Sequence, residues 1–293
     1  MPRALVSSPV AAHRLACAAA FLAARTRGEE VLVVGATWEA ASELSRRVAS
    51  SHGASFGWHR ATLGRVAAAL AGPELSARGL APVGALPLEA LCARVVDALA
   101  RQQSLGRFAE VARFPGFPRA LARTLLEIRI AGLDPESLLL EGGVELARVH
   151  QAYEAELARA QLADRALVFR IAAEVAAGVV TPPRPASAAA GVGPILRVPL
   201  LLLDVPVHGV LERDLLAAIL RRSPEVLATV PSGDERTLMH LQNALEIEAI
   251  HAPVPPGDPA ASSSLRRLQD YLFSESPAPK GELGEEVIVL SAP

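Results

Sequence analysis

Lysine and cysteine are scarce in this chain of 293 residues. Lys280 is the one lysine among 29 basic residues, so any chemistry that requires a lysine depends on that position. The two cysteines, Cys17 and Cys92, are too far apart for a CxxC pair, which excludes a disulfide scaffold and a cysteine-rich zinc module. Two unpaired thiols are typical of a protein in a reducing compartment.

Excess charge and long apolar runs are also missing. A formal net charge of −2 at pH 7 argues against a histone-like or tail-driven nucleic-acid binder, but it leaves a local basic groove open. The longest early apolar run, Leu15–Ala24, is much shorter than the about 20 residues that cross a bilayer. Arg25 and Arg27 follow that run without a small-residue cleavage site, which argues against a signal peptide. We expect a cytoplasmic protein with no membrane partner.

The chain has ample apolar surface to bury. Hydrophobic residues make up 51% of the sequence, which excludes disorder as its main state. A chain of this length forms one large domain or two ordinary ones, and its core needs neither a disulfide nor a metal.

The first 50 residues alternate between strand and helix patterns. Residues 4–9 form a short apolar run, and an Ala/Leu-rich helical stretch follows over 10–26. The next run, EEVLVVGAT (29–37), is rich in β-branched residues and typical of a strand that is buried on both faces of a parallel sheet. A second helical pattern comes after it. This order predicts the opening of a doubly wound α/β domain.

Residues 72–177 are predicted to form an all-helical insertion in that domain. A helical pattern over 61–71 is followed by a Pro/Gly-rich connector over 72–86 and then by apolar residues at helical spacing. Asp134 and Asp164 each predict the N-cap of a further helix. The block is too long for an ordinary α/β connection, so we interpret it as a separate subdomain.

A low-complexity segment over 178–197 predicts a flexible linker that leads back to strand patterns. The α/β domain is therefore expected to be split into residues 1–71 and 198–293. Its second part is predicted to contain a strand, a helix and another strand, in that order: 198–206, 210–222 and 225–231.

The C-terminal region is predicted to contain a helix over about 235–250, a Pro/Ser linker over 252–264 and a short helix over 265–273. The last run, EEVIVLSAP (285–293), has the composition of a strand, but a buried parallel strand is normally followed by a helix that covers the sheet. We therefore interpret the chain as the first part of a longer protein, or as the product of a truncated gene.

Several catalytic signatures are absent. The turn Ser7–His13 has neither the glycines nor the lysine of GxxxxGK[ST], and Pro9 removes a backbone donor, which excludes a working Walker A motif. Ala278 stands two residues before Lys280, where a PD-(D/E)xK nuclease has an acidic residue. The seven histidines show neither HxxxH nor HxH spacing, and the sequence contains no GxSxG motif. We expect no catalytic residue, no metal site and no cofactor in this chain.

Asp204 ends an apolar strand, which is the position of a Walker B carboxylate that holds Mg²⁺. Hydrolysis would also call for an acidic neighbour, and the next residue is Val205. Asp204 is therefore either the vestige of a nucleotide and Mg²⁺ site or an ordinary strand-end residue that caps the next turn.

Two segments combine a hydroxyl with an aromatic residue. Thr37 and Trp38 lie at the C-terminal end of the predicted strand EEVLVV, where open α/β sheets bind ligands. Trp58, Arg60 and Thr62 lie together further along the chain. Such residues bond phosphates and stack on bases, which predicts a nucleic-acid interface. The alternative is that both threonines are helix N-caps and both tryptophans belong to the core.

These segments resemble those of a known family. VLVVGATWEAASELSRRVA is similar to motif Ia of superfamily 1 helicases, and WHRATLGRVAAAL is similar to the next threonine-containing motif, which contacts single-stranded DNA in that superfamily. ALARTLLEIRIAGLDPESLL, LLLLDVPVHGVLERDLLAAIL, ATVPSGDERT and the final VIVLSAP resemble the AddB/RexB-type subunit of bacterial helicase-nucleases.

The resemblance implies a RecA-like, P-loop-NTPase-type parallel sheet with a large helical insertion. It also implies a role in double-strand-break repair: guiding single-stranded or forked DNA beside an AddA-like helicase-nuclease subunit, with ATP and Mg²⁺ used by the complex. Family members continue into a second helicase-like domain and a PD-(D/E)xK nuclease, and we expect neither within these 293 residues.

Two other classes of function stay open. The first is a scaffold that binds only protein, with the helical block 87–176 as its docking surface. The second is a domain that binds a nucleotide through an unorthodox site near Asp204.

Overall fold

The computed structural model describes residues 3–53, 56–181, 196–251, 263–271, 279–282, 284–285 and 287–288. It is an α/β protein with a parallel sheet and many helices, as the sequence predicts. The described residues form the strands β1 (Arg3–Ser8), β2 (Val31–Gly35), β3 (Trp58–Ala61), β4 (Ala81–Pro82), β5 (Leu162–Ala163), β6 (Leu200–Leu203), β7 (Val226–Pro231) and β8 (Ile250–His251). They form the helices α1 (Ala11–Ala23), α2 (Trp38–His52), α3 (Leu63–Ala77), α4 (Ala85–Arg101), α5 (Phe117–Ile130), α6 (Pro135–Leu140), α7 (Val144–Arg159), α8 (Arg165–Ala177), α9 (Val210–Arg222), α10 (Glu235–Leu245) and α11 (Ser264–Tyr271).

The chain divides into two compact units. The sheet unit comprises Met1–Thr62, Val198–Pro206 and Ser223–Pro293, and the helical unit comprises Leu63–Arg197 and Val207–Arg222. These limits differ from the predicted ones, because α3 and α9 both pack against α8 and so belong with the helices.

The sheet unit is built on six parallel strands in the order β3-β2-β6-β7-β1-β8. In register, Gly35 lies opposite Leu203, and Leu203 lies opposite Thr229. All residues of β2 and β6 are buried, which is why these strands read as continuous apolar runs. Helices α1 and α2 cover one face through a core that includes Leu22 and Leu44.

Two strands of this sheet were not predicted. The four residues of β3 are half-buried or exposed, and β8 has only two residues, so neither shows an apolar run. The helix predicted over 235–250 is also shorter, because α10 ends where Glu246 adopts a left-handed φ of 57° and β8 follows.

The helical unit has its own core between α4, α5 and α7, with Leu125 and Tyr153 fully buried. Both predicted caps are confirmed. The Asp134 carboxylate accepts a hydrogen bond from the Ser137 amide at 2.8 Å, and the Asp164 carboxylate accepts one from the Leu167 amide at 3.0 Å.

Two predictions about this unit are wrong. The insertion is not all-helical, since the two-residue strands β4 and β5 pair in parallel between Ala81 and Leu162. The connector predicted over 72–86 is largely ordered structure, because α3 continues to Ala77 through Pro73. Leu75 is buried beyond this proline, which cannot donate a helical hydrogen bond.

Three predictions fall mainly outside the described residues: the linker over 178–197, the linker over 252–264 and the final strand over 285–293. The short helix predicted over 265–273 corresponds to α11. None of the helices in the described ranges is long and apolar enough to cross a membrane.

Candidate functional site

The carboxyl ends of β1, β6 and β7 bring polar side chains together in the sheet unit. Ser8 ends β1, Asp204 follows β6, and Thr229 lies within β7 beside them. Open α/β sheets bind their ligands at this edge, so the chemistry of this cluster bears directly on function. Ser8 and Thr229 are almost fully buried, with 1% and 0% exposure.

Arg14 of α1 reaches into this cluster and pairs with Asp204. Its Nε atom donates to both carboxylate oxygens of Asp204, at 3.0 and 3.1 Å, and its Nη1 atom donates to the carbonyl oxygen of Ser8 at 2.5 Å. The Arg14 side chain is 8% exposed, so this is a largely buried ion pair. The guanidinium thereby ties α1 to the ends of β1 and β6.

Asp204 is also held by the neighbouring strand. The Thr229 hydroxyl donates a hydrogen bond to the Asp204 carboxylate at 2.7 Å. The Asp204 amide in turn donates one to the same hydroxyl oxygen at 3.2 Å. Asp204 has a φ of 50°, a left-handed conformation that is uncommon for a residue other than glycine. Such a backbone persists where the surrounding contacts enforce it, which here are the bonds to Thr229 and Arg14.

This geometry does not fit a Mg²⁺ site at Asp204. Mg²⁺ takes oxygen ligands in near-ideal octahedral geometry, whereas here a guanidinium already engages both carboxylate oxygens. Arginine stays protonated in proteins, so the Asp204 carboxylate is always paired with a cation from the protein itself. In the part of the chain that the structure describes, no group of three or more His, Cys, Asp or Glu residues is arranged to hold a metal.

Thr37 and Trp38 lie at the same edge, where β2 turns into α2. The Thr37 hydroxyl oxygen accepts a hydrogen bond from the Ala40 amide at 3.1 Å, so Thr37 is an N-cap, and its O–H hydrogen can still donate to a ligand. Trp38 is 44% exposed and therefore does not belong to the core. The turn after β2 is tight enough to require a glycine at position 35, because a Cβ there would lie 2.6 Å from the Thr37 carbonyl oxygen.

The residues on β3 are distributed along the strand. Ala61, the last residue of β3, pairs with Val34 of β2. Thr62 therefore lies at the carboxyl edge of the sheet, as Thr37 does. Trp58 pairs with Val31 at the opposite end of the strand, about 13 Å from Thr62 at the usual rise per residue. The structure thus brings Thr37, Trp38 and Thr62 to one edge and leaves Trp58 at the other.

Trp58 and Arg60 have different surroundings. The half-buried Trp58 packs against the core beneath α1 and α2, and within the described structure its indole Nε1 is buried without a hydrogen-bond partner. Arg60 is exposed in the middle of β3, an edge strand. Trp58 therefore behaves as a core residue, and Arg60 presents its charge to solvent.

A second polar cluster lies inside the helical unit. The Arg129 guanidinium donates to the Asp164 carboxylate at 2.8 Å and pairs with Glu154, and the Tyr153 hydroxyl donates to Asp164 at 3.3 Å. Burial lowers the pKa of His150, which lies 3.4 Å from Arg129 through its Nε2 atom. Asp164, Tyr153 and His150 are at most 1% exposed, so the cluster joins α5, α7 and α8 rather than meeting a ligand.

Sequence reasoning missed Arg14 and Thr229. One signal points to Arg14: it follows Ser8 by six positions, the interval from the first glycine to the lysine in GxxxxGK[ST]. Nothing in the sequence marks Thr229, which lies inside an apolar strand and gains its role through the register with β6.

Comparison with known proteins adds no assignment to this geometry. No protein-family model matches the chain, and no curated protein sequence matches it.

Proposed function

We propose that this chain is a non-catalytic, helicase-like region of an AddB-like DNA-repair protein. In this proposal it guides single-stranded or forked DNA and docks an AddA-like helicase-nuclease subunit during double-strand-break processing. The ATP and Mg²⁺ that drive such a complex are used by the partner subunit.

The strand order supports a RecA-like sheet. In RecA-like ATPases one strand separates the P-loop strand from the strand that ends in the Walker B carboxylate. The same relation holds here, because β7 lies between β1 and β6, and Asp204 follows β6. The helical unit begins directly after β3, as an insertion in such a domain would.

The ion pair between Arg14 and Asp204 is the observation that carries the non-catalytic part of the proposal. In an active site, the carboxylate at this position would act through a metal ion bound with the nucleotide. Here, Mg²⁺ would have to displace a buried guanidinium that also bonds the Ser8 carbonyl. A protein that supplies its own cation holds these strand ends together without a nucleotide.

The residues at and near the carboxyl edge support the DNA part, because all but the half-buried Thr62 are exposed. A threonine hydroxyl and an arginine bond phosphate oxygens, and an exposed indole stacks on bases without regard to sequence. Thr37, Trp38 and Thr62 share the carboxyl edge, and the exposed Arg60 lies on the same edge strand as Thr62. We retain these four residues as the interface and assign Trp58 to the core.

The test is the fluorescence anisotropy of labelled forked DNA titrated with the full chain. Trp38→Ala is expected to weaken binding by about 5-fold to 150-fold, because stacking on one base contributes about 1–3 kcal/mol. The double variant Arg60→Ala with Thr62→Ala is expected to weaken binding and to reduce its salt dependence, because phosphate contacts release counterions.

Matched controls separate the interface from general effects. Phe56→Ala removes another aromatic side chain, 77% exposed, from the amino side of β3, and Arg47→Ala removes an exposed arginine from α2. Both controls should bind DNA like the parent chain. If the interface variants also bind forked DNA like the parent, the DNA part of the proposal is wrong. If ATP with Mg²⁺ raises the melting temperature of the chain, the chain binds nucleotide, and a nucleotide-binding function replaces the proposed non-catalytic one.

A further inference from the structure

The helical unit exposes a short apolar ridge. The ridge is the segment from Leu133 to Val144, which contains α6 and the start of α7. Leu140 is 89% exposed, Leu139 is 49% exposed, and Leu133 and Val144 are more than 40% exposed. Single exposed leucines are ordinary, but four large apolar side chains within twelve residues mark an interaction surface.

The ridge is also acidic. Asp134, Glu136 and Glu141 are exposed, and within the described structure none of the three forms an ion pair with a lysine or an arginine. The sequence has no lysine or arginine between Ala131 and Ala147. A surface that covers the leucines therefore has to present basic charge beside its apolar atoms.

The same unit contains a groove that meets this description. A cavity of about 700 Å³ lies between α4 and the segment that leads into α5. Its lining is mainly apolar and includes Val96 and Phe114, and its acidic residue, Asp97, pairs with Arg101. Phe114 is 53% exposed, and the guanidinium of Arg113 lies over its ring at 5.1 Å. The described structure gives Arg113 no acidic partner, so the groove has a free cation at its rim.

The ridge and the groove are neighbours on the surface of the unit. Glu145, directly after the ridge, lies 3.6 Å from Arg107 beside the groove. Gly106 lines the groove, and a Cβ on it would lie 2.5 Å from Cγ of Glu145. A chain with an adjacent ridge and groove can pair with a second copy across a two-fold axis, with each ridge in the other copy's groove.

We propose that the helical unit binds a second copy of this chain, with Leu139 and Leu140 of each copy in the groove of the other beside Arg113. Both apolar surfaces are then covered at once, and the acidic residues of the ridge face arginine across the interface. The contact is closed and limited to two copies. It is independent of the DNA-binding proposal, since none of the residues at the carboxyl edge of the sheet takes part.

The test is sedimentation velocity of the full chain over about 1–100 μM, the range of a moderate protein interface. The parent chain should shift from monomer to dimer as its concentration rises. A ridge variant, Leu139→Ser with Leu140→Ser, and a groove variant, Phe114→Ser with Arg113→Ser, should each raise the dissociation constant at least about tenfold. Leu86→Ser, which alters an exposed leucine at the start of α4, should leave it unchanged.

Mixing the two variants tests the geometry itself. The groove variant keeps an intact ridge and the ridge variant keeps an intact groove, so the mixed dimer retains one of the two contacts. It should therefore form at lower concentration than either variant's own dimer. A parent chain that stays monomeric at 100 μM overturns the proposal, as does a dimer that survives either variant or a mixture that gains nothing. Circular dichroism confirms that each variant is folded.

Discussion

The buried ion pair between Arg14 and Asp204 gives the sharpest prediction about stability. The change is Arg14→Met, which keeps most of the side-chain volume but removes the guanidinium. Asp204 is then left with its charge and with the Thr229 hydroxyl as a hydrogen-bond donor. It also keeps its left-handed backbone, without the bonds from Arg14 that help to hold it.

The expected size of the effect follows from burial. Removing one partner of a buried ion pair costs about 3–5 kcal/mol, because the other charge stays buried without compensation. The side chain of Arg14 is 8% exposed and that of Asp204 is 26% exposed, so water reaches the carboxylate in part. We therefore expect the lower end, about 3 kcal/mol, in the free energy of unfolding.

The assay is a double-mutant cycle measured by urea unfolding. Asp204→Asn keeps the shape and tolerates a left-handed φ, so the double variant Arg14→Met with Asp204→Asn leaves no buried charge. It should be more stable than Arg14→Met alone by at least about 1.5 kcal/mol. The matched control is Arg46→Met, which breaks a pair with Glu43 whose side chains are 71% and 53% exposed and should cost less than about 1 kcal/mol. The reasoning is refuted if Arg14→Met costs no more than this control, or if the double variant is no more stable than Arg14→Met.

Two further predictions concern the other unit and the β2 turn. Burial lowers the pKa of His150 in the folded state, so the unfolded state binds more protons, and stability should fall as pH drops below about 6.5. In urea titrations between pH 5 and 8, His150→Gln should show a flatter dependence on pH than the parent chain; an unchanged slope would contradict this origin. Gly35→Ala should lower the free energy of unfolding by about 1–3 kcal/mol, because its Cβ would lie 2.6 Å from a carbonyl oxygen. Gly64→Ala, which meets nothing within 4 Å in α3, should be neutral or stabilising, and equal effects of the two changes would argue against the tight turn.

The predicted elements that agree with the structure share a local physical cause. Strands β2 and β6 are buried on both faces, so their sequences are apolar throughout and are recognised without knowledge of their neighbours. Helices α6 and α8 begin at Asp134 and Asp164, whose side chains bond amides three residues further on. Such signals are complete within a few residues of the chain.

The missed strands lack such a local cause. Residues 58–61 of β3 are extended because they pair with β2, and the pairing partner is not visible in the WHRA sequence. The same holds for β4 and β5, which are two residues each and lie about 80 positions apart in the chain. Only contact with a distant segment makes these residues strands.

The candidate interface was partly predictable. Thr37 and Trp38 follow a recognisable buried strand, and the end of such a strand in a parallel sheet is where ligands bind. Trp58 belongs to a segment that also combines an aromatic residue with a threonine, but the strand register places Trp58 at the opposite edge of the sheet. Trp58 begins β3 and Thr62 follows its last residue, so these two residues, four positions apart in the sequence, lie at opposite ends of the strand.

The sequence by itself determined the α/β class, the helical caps and the lack of a Walker A lysine, because each depends on residue types at short spacing. The tertiary structure decided what Asp204 does. Its cation comes from Arg14, 190 positions earlier, and its second partner comes from the neighbouring strand β7. A carboxylate at the end of a strand has the same sequence whether it meets a metal ion or a guanidinium, and only the packing of α1 against the sheet selects between them.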